Sequence, residues 1–126
     1  MTSLAQRASQ GRMAQHAGSA AEDTAARHYE MRGLHVAERR WRSVGGEIDL
    51  IVQNPDGVVF VEVKKRRSFD AAARHLGQRQ RNRIFVSAAE YLGTLRTGAL
   101  TEARFDVALV DGGGAVQILE NAFGES

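Results

Sequence analysis

Two short segments, Gly46-Glu47-Ile48-Asp49-Leu50-Ile51 and Val59-Phe60-Val61-Glu62-Val63-Lys64, alternate in hydrophobicity and flank the turn sequence Asn54-Pro55-Asp56-Gly57. Alternation on both sides of a strong turn calls for an antiparallel hairpin. A side-chain period of two puts Ile48, Leu50 and Val52 on one face with Val59, Val61 and Val63. The other face then carries Glu47, Asp49 and Ile51 with Phe60, Glu62 and Lys64. A turn that closes symmetrically pairs Gln53 with Val58. Counting back sets Asp49 opposite Glu62 and Glu47 opposite Lys64. Directly opposed residues hold their Cβ atoms about 4.5–5.5 Å apart, so two carboxylates converge with a lysine beside them.

Two like charges about 5 Å apart repel by roughly 3 kcal/mol at an effective dielectric of 20, and by under 1 kcal/mol in bulk water. An opposed acid pair is therefore tolerable on a wet sheet surface and costly on a covered one. Ile51 and Phe60 share the face, which argues for cover. A partly buried acid pair either raises a pKa or binds a cation. Magnesium needs only one or two protein carboxylates and keeps several waters. Asp49, Glu62 and the backbone carbonyl of Val63 would supply such a site, with Lys64 placed to orient a water or to meet charge on a phosphate.

Charge is unevenly spread. Lys64, Lys65, Arg66, Arg67, Arg74, Arg79, Arg81 and Arg83 face a single acid, Asp70, within twenty residues; that segment is +7 and leaves −5 for the rest of a chain of net +2. Basic charge gathered beside the carboxylate hairpin suits a polyanion, although a solvated arginine-rich helix face would read the same way. The chain has fifteen arginines but only two lysines, one of them Lys64.

With 126 residues the chain is expected to form one domain. It has no cysteine, which excludes disulfide and thiolate chemistry. No apolar run suits a membrane span and no leader-like apolar region opens the chain, so a cytoplasmic location is the expectation and a membrane is not an expected partner. Residues 1–18 read as a mobile tail and 19–126 as the domain. Ser19 and Glu22 read as a capping box opening a helix that Gly33 ends near Arg32. Leu34 to Trp41 reads as a strand whose alternation fades at Glu38-Arg39-Arg40. After the hairpin come an irregular connection from Ser68 to Gly77, a helix from about Gln78 to Arg96, a strand from Arg104 to Asp111, a turn at Gly112-Gly113-Gly114 and a short strand from Val116 to Leu119. His16, His28, His35 and His75 lack ligand spacing, and Trp41 reads as a core anchor ahead of a stacking platform. Glu22 either completes the cap or points across its helix toward the metal; Glu47 is placed to partner Lys64.

The Gly-Glu-Ile-Asp-Leu-Ile and Val-Phe-Val-Glu-Val-Lys runs resemble those of the YraN-like family of uncharacterised bacterial proteins, regarded as candidate endonucleases. The resemblance runs from about Ala20 to Phe123 and takes in Glu22 with Ala25-Ala26, Gly33, Arg42, Ala88 with Tyr91-Leu92, Arg104-Phe105-Asp106-Val107 and Asn121-Ala122-Phe123. That family is similar to the PD-(D/E)XK nuclease superfamily and, within it, to archaeal Holliday junction resolvases. The resemblance implies a restriction-endonuclease-like α/β fold with an αβββαβ core and a mixed central sheet flanked by helices. It implies Asp49 and Glu62 as metal ligands, Lys64 as the catalytic lysine, Glu22 as a helix-borne acid of the site, and a homodimer. The chain departs from the family at Ala21, where Gly is common, near Arg40, where Asn is common, and near Gln80, where Lys is common. The functional expectation is a Mg²⁺- or Mn²⁺-dependent endonuclease acting on DNA, with Lys65, Arg66, Arg67, Arg79, Arg81 and Arg83 on backbone phosphates. The alternative is a nuclease-like module that binds nucleic acid without cutting it.

Overall fold

The computed structural model describes residues 12–66 and 76–122. The first helix, α1 (Arg12–Met31), starts upstream of Ser19. Ser19 therefore lies inside the helix and does not cap it, because Arg12, Met13, Ala14 and Gln15 are themselves good helix formers. Part of the expected tail, residues 12–18, is thus helical, while residues 1–11 lie outside the described residues. The helix stops where Gly33 takes φ +83°, and the N–H groups of Gly33 and Leu34 donate to the carbonyls of Glu30 (2.9 Å) and Tyr29 (3.2 Å). A left-handed glycine is the usual device for such an end.

Five strands follow in one sheet, ordered as in the chain: β1 (His35–Ser43), β2 (Gly46–Asn54), β3 (Gly57–Lys65), β4 (Glu102–Val110) and β5 (Val116–Leu119). Strands β1, β2 and β3 are antiparallel neighbours, β3 and β4 run parallel, and β5 returns antiparallel to β4. The parallel step is bridged by α2 (Gln78–Leu92), which stops at Gly93, short of the expected Arg96, and is followed by a 3₁₀ turn at Gly98–Leu100. The described chain thus has the expected α/β architecture, a mixed sheet with a helix on each face. The connection expected at 68–77 falls largely outside the described residues, as does Arg67.

The small side chains of Ala21, Ala25 and Ala26 let α1 lie close to the sheet, and with Tyr29 they pack on Leu50, Val52, Val59, Val61, Ala108 and Val110. On the other face Ala88 and Tyr91 of α2 cover Ile48, Ile51, Val58 and Phe60, while Ile84 joins Val107 and Leu109. Tyr91 meets both Trp41 and Phe60 edge-on, with centroids 5.3 and 5.9 Å apart, an arrangement that aromatic quadrupoles favour. The β1–β2 turn is also fastened to α2. Ser43 Oγ donates to the buried Ser87 Oγ at 2.8 Å, and a Cβ on Gly45 would come within 2.7 Å of Val86 Cγ1 and 3.0 Å of the Ser87 nitrogen. Glycine is what permits that approach.

Ile48 is a correction to the simple alternation, since it joins the α2 side although Leu50 and Val52 face α1. The cause lies on the neighbouring strand. Arg40 has φ +50°, a left-handed conformation uncommon for non-glycine residues. On either side of it, Arg39 bonds to Asp23 of α1 while Trp41 contacts Tyr91 of α2. Their partners across the ladder, Leu50 and Ile48, part to the same two faces. The phase of both strands changes at Arg40 and Asp49.

Candidate active site

The β2–β3 ladder starts at Asn54/Gly57, passes through Gln53/Val58 and ends at Leu50/Val61. The hairpin register is the expected one, and the turn is closed by Asn54 Oδ1, which accepts from the N–H groups of Asp56 and Gly57 at 2.8 and 2.6 Å. Beyond Leu50 the main chains no longer pair. Instead Asp49 Oδ2 accepts a 2.8 Å hydrogen bond from the Val63 N–H. There a side-chain contact takes the place of the next main-chain pair.

Glu62 sits just past that point, half-buried. Its Oε2 accepts from Gln80 Nε2 at 3.1 Å, and it lines the same cavity as Asp49. Burial pushes its pKa up to about 9, helped by Asp49; Gln80 and Lys64 work against the rise. Two neighbouring carboxyl groups escape their repulsion if one keeps a proton. A cation held by both oxygens would do the same electrostatic work as that proton. The donor set, all oxygen and at least one of it anionic, fits magnesium or manganese. Burial, and after it the charge of Arg66, lowers the pKa of Lys64, and Glu62 lies near enough to oppose them in part.

A cavity of about 200 Å³ opens over this pair, lined by Gly46, Glu47, Asp49, Glu62, Gln80, Arg83 and Ile84. Glu22, on α1, is not part of the cavity lining; only 13% of its side chain is exposed, and its Oε1 accepts from Arg40 Nε at 2.8 Å. Burial raises the Glu22 pKa, Asp49 and Glu47 raise it further, and Arg40 opposes them. Glu47 does not meet Lys64 as expected, because the ladder has ended before reaching it; it pairs with Arg42 at 3.7 Å across β1. Among the described residues no three acidic, histidine or cysteine side chains gather closely enough to hold a metal by themselves.

The basic residues separate. Arg83 lines the cavity, and the exposed Arg79 lies one turn before it on α2. Arg81 is engaged by Gln78 Oε1 at 2.9 Å. Lys65 and Arg66 are exposed where β3 leaves the sheet, the Arg66 N–H donating to the Val110 carbonyl at 2.9 Å. Two site residues escape a reading of motifs, Arg40 and Gln80. Both hydrogen-bond an expected site acid, and both mark positions where the chain departs from the pattern it resembles.

Among the described residues no helix is long and apolar enough to cross a membrane. The model of "Uncharacterised protein family UPF0102" matches residues 21–110, which include Glu22, Asp49, Glu62 and Lys64. A UPF0102 protein of Ruegeria pomeroyi is 55% identical over 117 residues, covering 93% of this chain and 95% of its own. One of Roseobacter denitrificans is 51% identical over 91% of this chain and 89% of its own, and one of Dinoroseobacter shibae 43% identical over 91% and 86%. The chain belongs to uncharacterised protein family UPF0102, the YraN-like family that its motifs resemble.

Proposed function

We propose that this protein is a metal-dependent endonuclease that hydrolyses phosphodiester bonds in DNA, with branched DNA among its candidate substrates. The observation that carries the reading is the convergence of Asp49 and Glu62 on one cavity where the β2–β3 ladder ends. A half-buried acid pair is costly unless a cation or a proton offsets it, and its position beside Lys64 and Arg83 suits a phosphodiester.

In this reading Asp49, Glu62 and the Val63 carbonyl hold Mg²⁺ or Mn²⁺. Bound there, the ion would lower the pKa of a water and polarise a phosphoryl oxygen. The Lys64 ammonium meets charge developing on the phosphate, in a site where burial strengthens that contact. Gln80 holds Glu62 in place through its amide N–H. Glu22 adds negative charge from α1. Arg83 and Arg79 grip flanking phosphates, joined by Lys65 and Arg66 at the end of β3, with Arg81 and Arg67 completing the basic set.

A second reading has an observation in its favour. Glu22 is held by Arg40, and among the described residues no third acid joins the pair closely enough to hold a metal; a nuclease-like module that grips nucleic acid without cutting would look the same. One experiment separates the two. Junction, duplex and single-stranded substrates are incubated with the wild type, Asp49→Ala and Lys64→Ala, with and without Mg²⁺ or Mn²⁺. The endonuclease reading expects ion-dependent cleavage by the wild type and its loss in both variants. Salt-sensitive binding with no cleavage would support the binding module instead.

A further inference from the structure

Val44, at the tip of the β1–β2 turn, is 98% exposed, and Val86 on α2 is 51% exposed. Single apolar residues at a surface are ordinary. These two are linked to each other and to the cavity over the acid pair. Val86 lies against Gly45, the residue after Val44, so closely that a Cβ there would come within 2.7 Å of its Cγ1. Gly46, one residue further, lines the cavity together with Arg83, which sits about one turn before Val86 on α2. Val44 thus stands at the rim of the site, two residues from its wall. Two peptide links span at most about 7.6 Å between Cα atoms, roughly two nucleotide steps at about 3.4 Å each.

The tip is fastened in place. Ser43 Oγ donates to Ser87 Oγ at 2.8 Å, the Gly45 N–H to Ser43 Oγ at 3.2 Å, and the Val44 N–H to Glu90 Oε2 at 3.2 Å. A β-branched side chain is itself stiff at χ1. Ser43 pairs with Gly46 across the loop, and loops of this length favour Gly, Asn or Asp, so the turn has no need of a valine here. Charge at the tip also discriminates. The Glu90 carboxylate would repel a phosphate, whereas the uncharged face of a base meets no such cost.

We infer that Val44, backed by Val86, is a wedge that packs against an unstacked base beside the phosphodiester in the cavity, and so selects DNA whose stacking is already broken, as at a branch point. The inference rests on the nuclease reading and deepens it, by naming what the site requires of its substrate. Driving an apolar side chain between paired bases costs unstacking energy, and that cost is smallest where the bases are already apart.

The test uses the full chain in chelator, a four-way junction with a fluorescent adenine analogue at the branch, and an unbroken duplex of equal length. The analogue brightens when it is unstacked. The wild type is expected to favour the junction and to brighten it. Val44→Ser, a good turn residue at an exposed place, is expected to lose about tenfold in junction affinity, to keep its duplex affinity and to abolish the brightening. Val44→Leu is expected to keep both junction properties. Equal affinity and brightening for the wild type and Val44→Ser would overturn the inference. So would a Val44→Ser chain that sediments as a smaller species than the wild type, which would give the tip to a second copy of this chain. Adding Mg²⁺ to the same series separates the underlying reading. Junction cleavage with Val44→Ser behaving as the wild type sinks the wedge alone, and a wild type that binds neither DNA sinks both. Brightening that Val44→Ser abolishes, without cleavage by the wild type, would support the wedge and overturn the endonuclease reading.

Discussion

The carboxylate of Asp49 accepts its hydrogen bond from the N–H of Val63, the residue that directly follows Glu62. The placement of one acid is thus tied to the main chain that carries the other. Two substitutions separate this structural tie from chemistry. Asp49→Asn keeps an oxygen for Val63 and loses the charge, whereas Asp49→Ala loses both. Lewis-acid help from a bound ion is worth several kcal/mol, so both variants are expected to lose at least about 100-fold in cleavage rate. Only Asp49→Ala leaves the Val63 N–H without its partner, at a cost of about 1–3 kcal/mol. Urea denaturation in chelator checks the second half, and equal stability of the two variants would show that the hydrogen bond contributes nothing.

Glu62 makes stability depend on pH in a defined sense. Its pKa rises from 4.5 to about 9 on folding, so between these limits the folded chain holds a proton that the unfolded chain has released. The contribution is fully present below pH 4.5 and is lost as pH climbs toward 9, with a slope approaching 1.4 kcal/mol per unit for about one proton. In chelator, the wild type is expected to lose stability relative to Glu62→Gln across this window. An added divalent ion is expected to flatten the slope, because it takes over the role of the proton. Denaturation curves at pH 5, 7 and about 9, with and without the ion, read both effects. Parallel curves for wild type and Glu62→Gln would place Glu62 in water.

The hairpin register was legible because alternation and the Asn54-Pro55-Asp56-Gly57 turn agree on it, and from register came the meeting of Asp49 and Glu62. What lay just beyond was not legible. Counting pairs past Leu50/Val61 assumes that the ladder continues, and it stops there, which leaves Glu47 with Arg42 instead of Lys64. The fading alternation at Glu38-Arg39-Arg40 was the visible trace of the left-handed Arg40, but arginine carries no turn signal that would announce it. Ile48 changed faces for the same reason. The start of α1 was misplaced because Ser19-Ala-Ala-Glu22 has the pattern of a capping box wherever it falls, and nothing local shows that the helix is already under way. Gln80 and Arg40 join the site through tertiary contacts between elements, which no short motif records.

Asp106 is fully buried and yet fully engaged. Tyr29 Oη donates to it at 2.8 Å, Arg104 Nε and Nη2 at 2.9 and 3.0 Å, and the Asn121 N–H at 3.0 Å. The carboxylate ties α1 and the segment after β5 to β4, and so sets where α1 carries Glu22. Asp106→Ala strands the arginine and the tyrosine together and is expected to cost about 3–5 kcal/mol. Tyr29→Phe removes one donor and is expected to cost about 1–2 kcal/mol. Equilibrium denaturation gives both values. If Tyr29→Phe proved as damaging as Asp106→Ala, the network would depend on the tyrosine and not on the ion pair.

Arg79, Arg81 and Arg83 crowd the first turns of α2, whose first turn carries no acidic residue of its own. Cations at a helix N-terminus oppose the dipole, and a bound anion would offset that cost. The three arginines are not equivalent, however. Arg83 lines the cavity over the acid pair, while Arg81 is engaged by Gln78. Each phosphate contact contributes roughly 0.9 to the slope of log affinity against log salt on duplex DNA. Arg83→Ala is therefore expected to reduce that slope by about one unit and weaken binding about equally for all sequences, with Arg79→Ala close behind and Arg81→Ala the least affected. Fluorescence anisotropy over a salt series, in chelator so that no cleavage intervenes, measures each slope. An unchanged slope for Arg83→Ala would remove the cavity wall from the DNA path and leave the exposed end of β3, with Lys65 and Arg66, as the surface that meets the backbone.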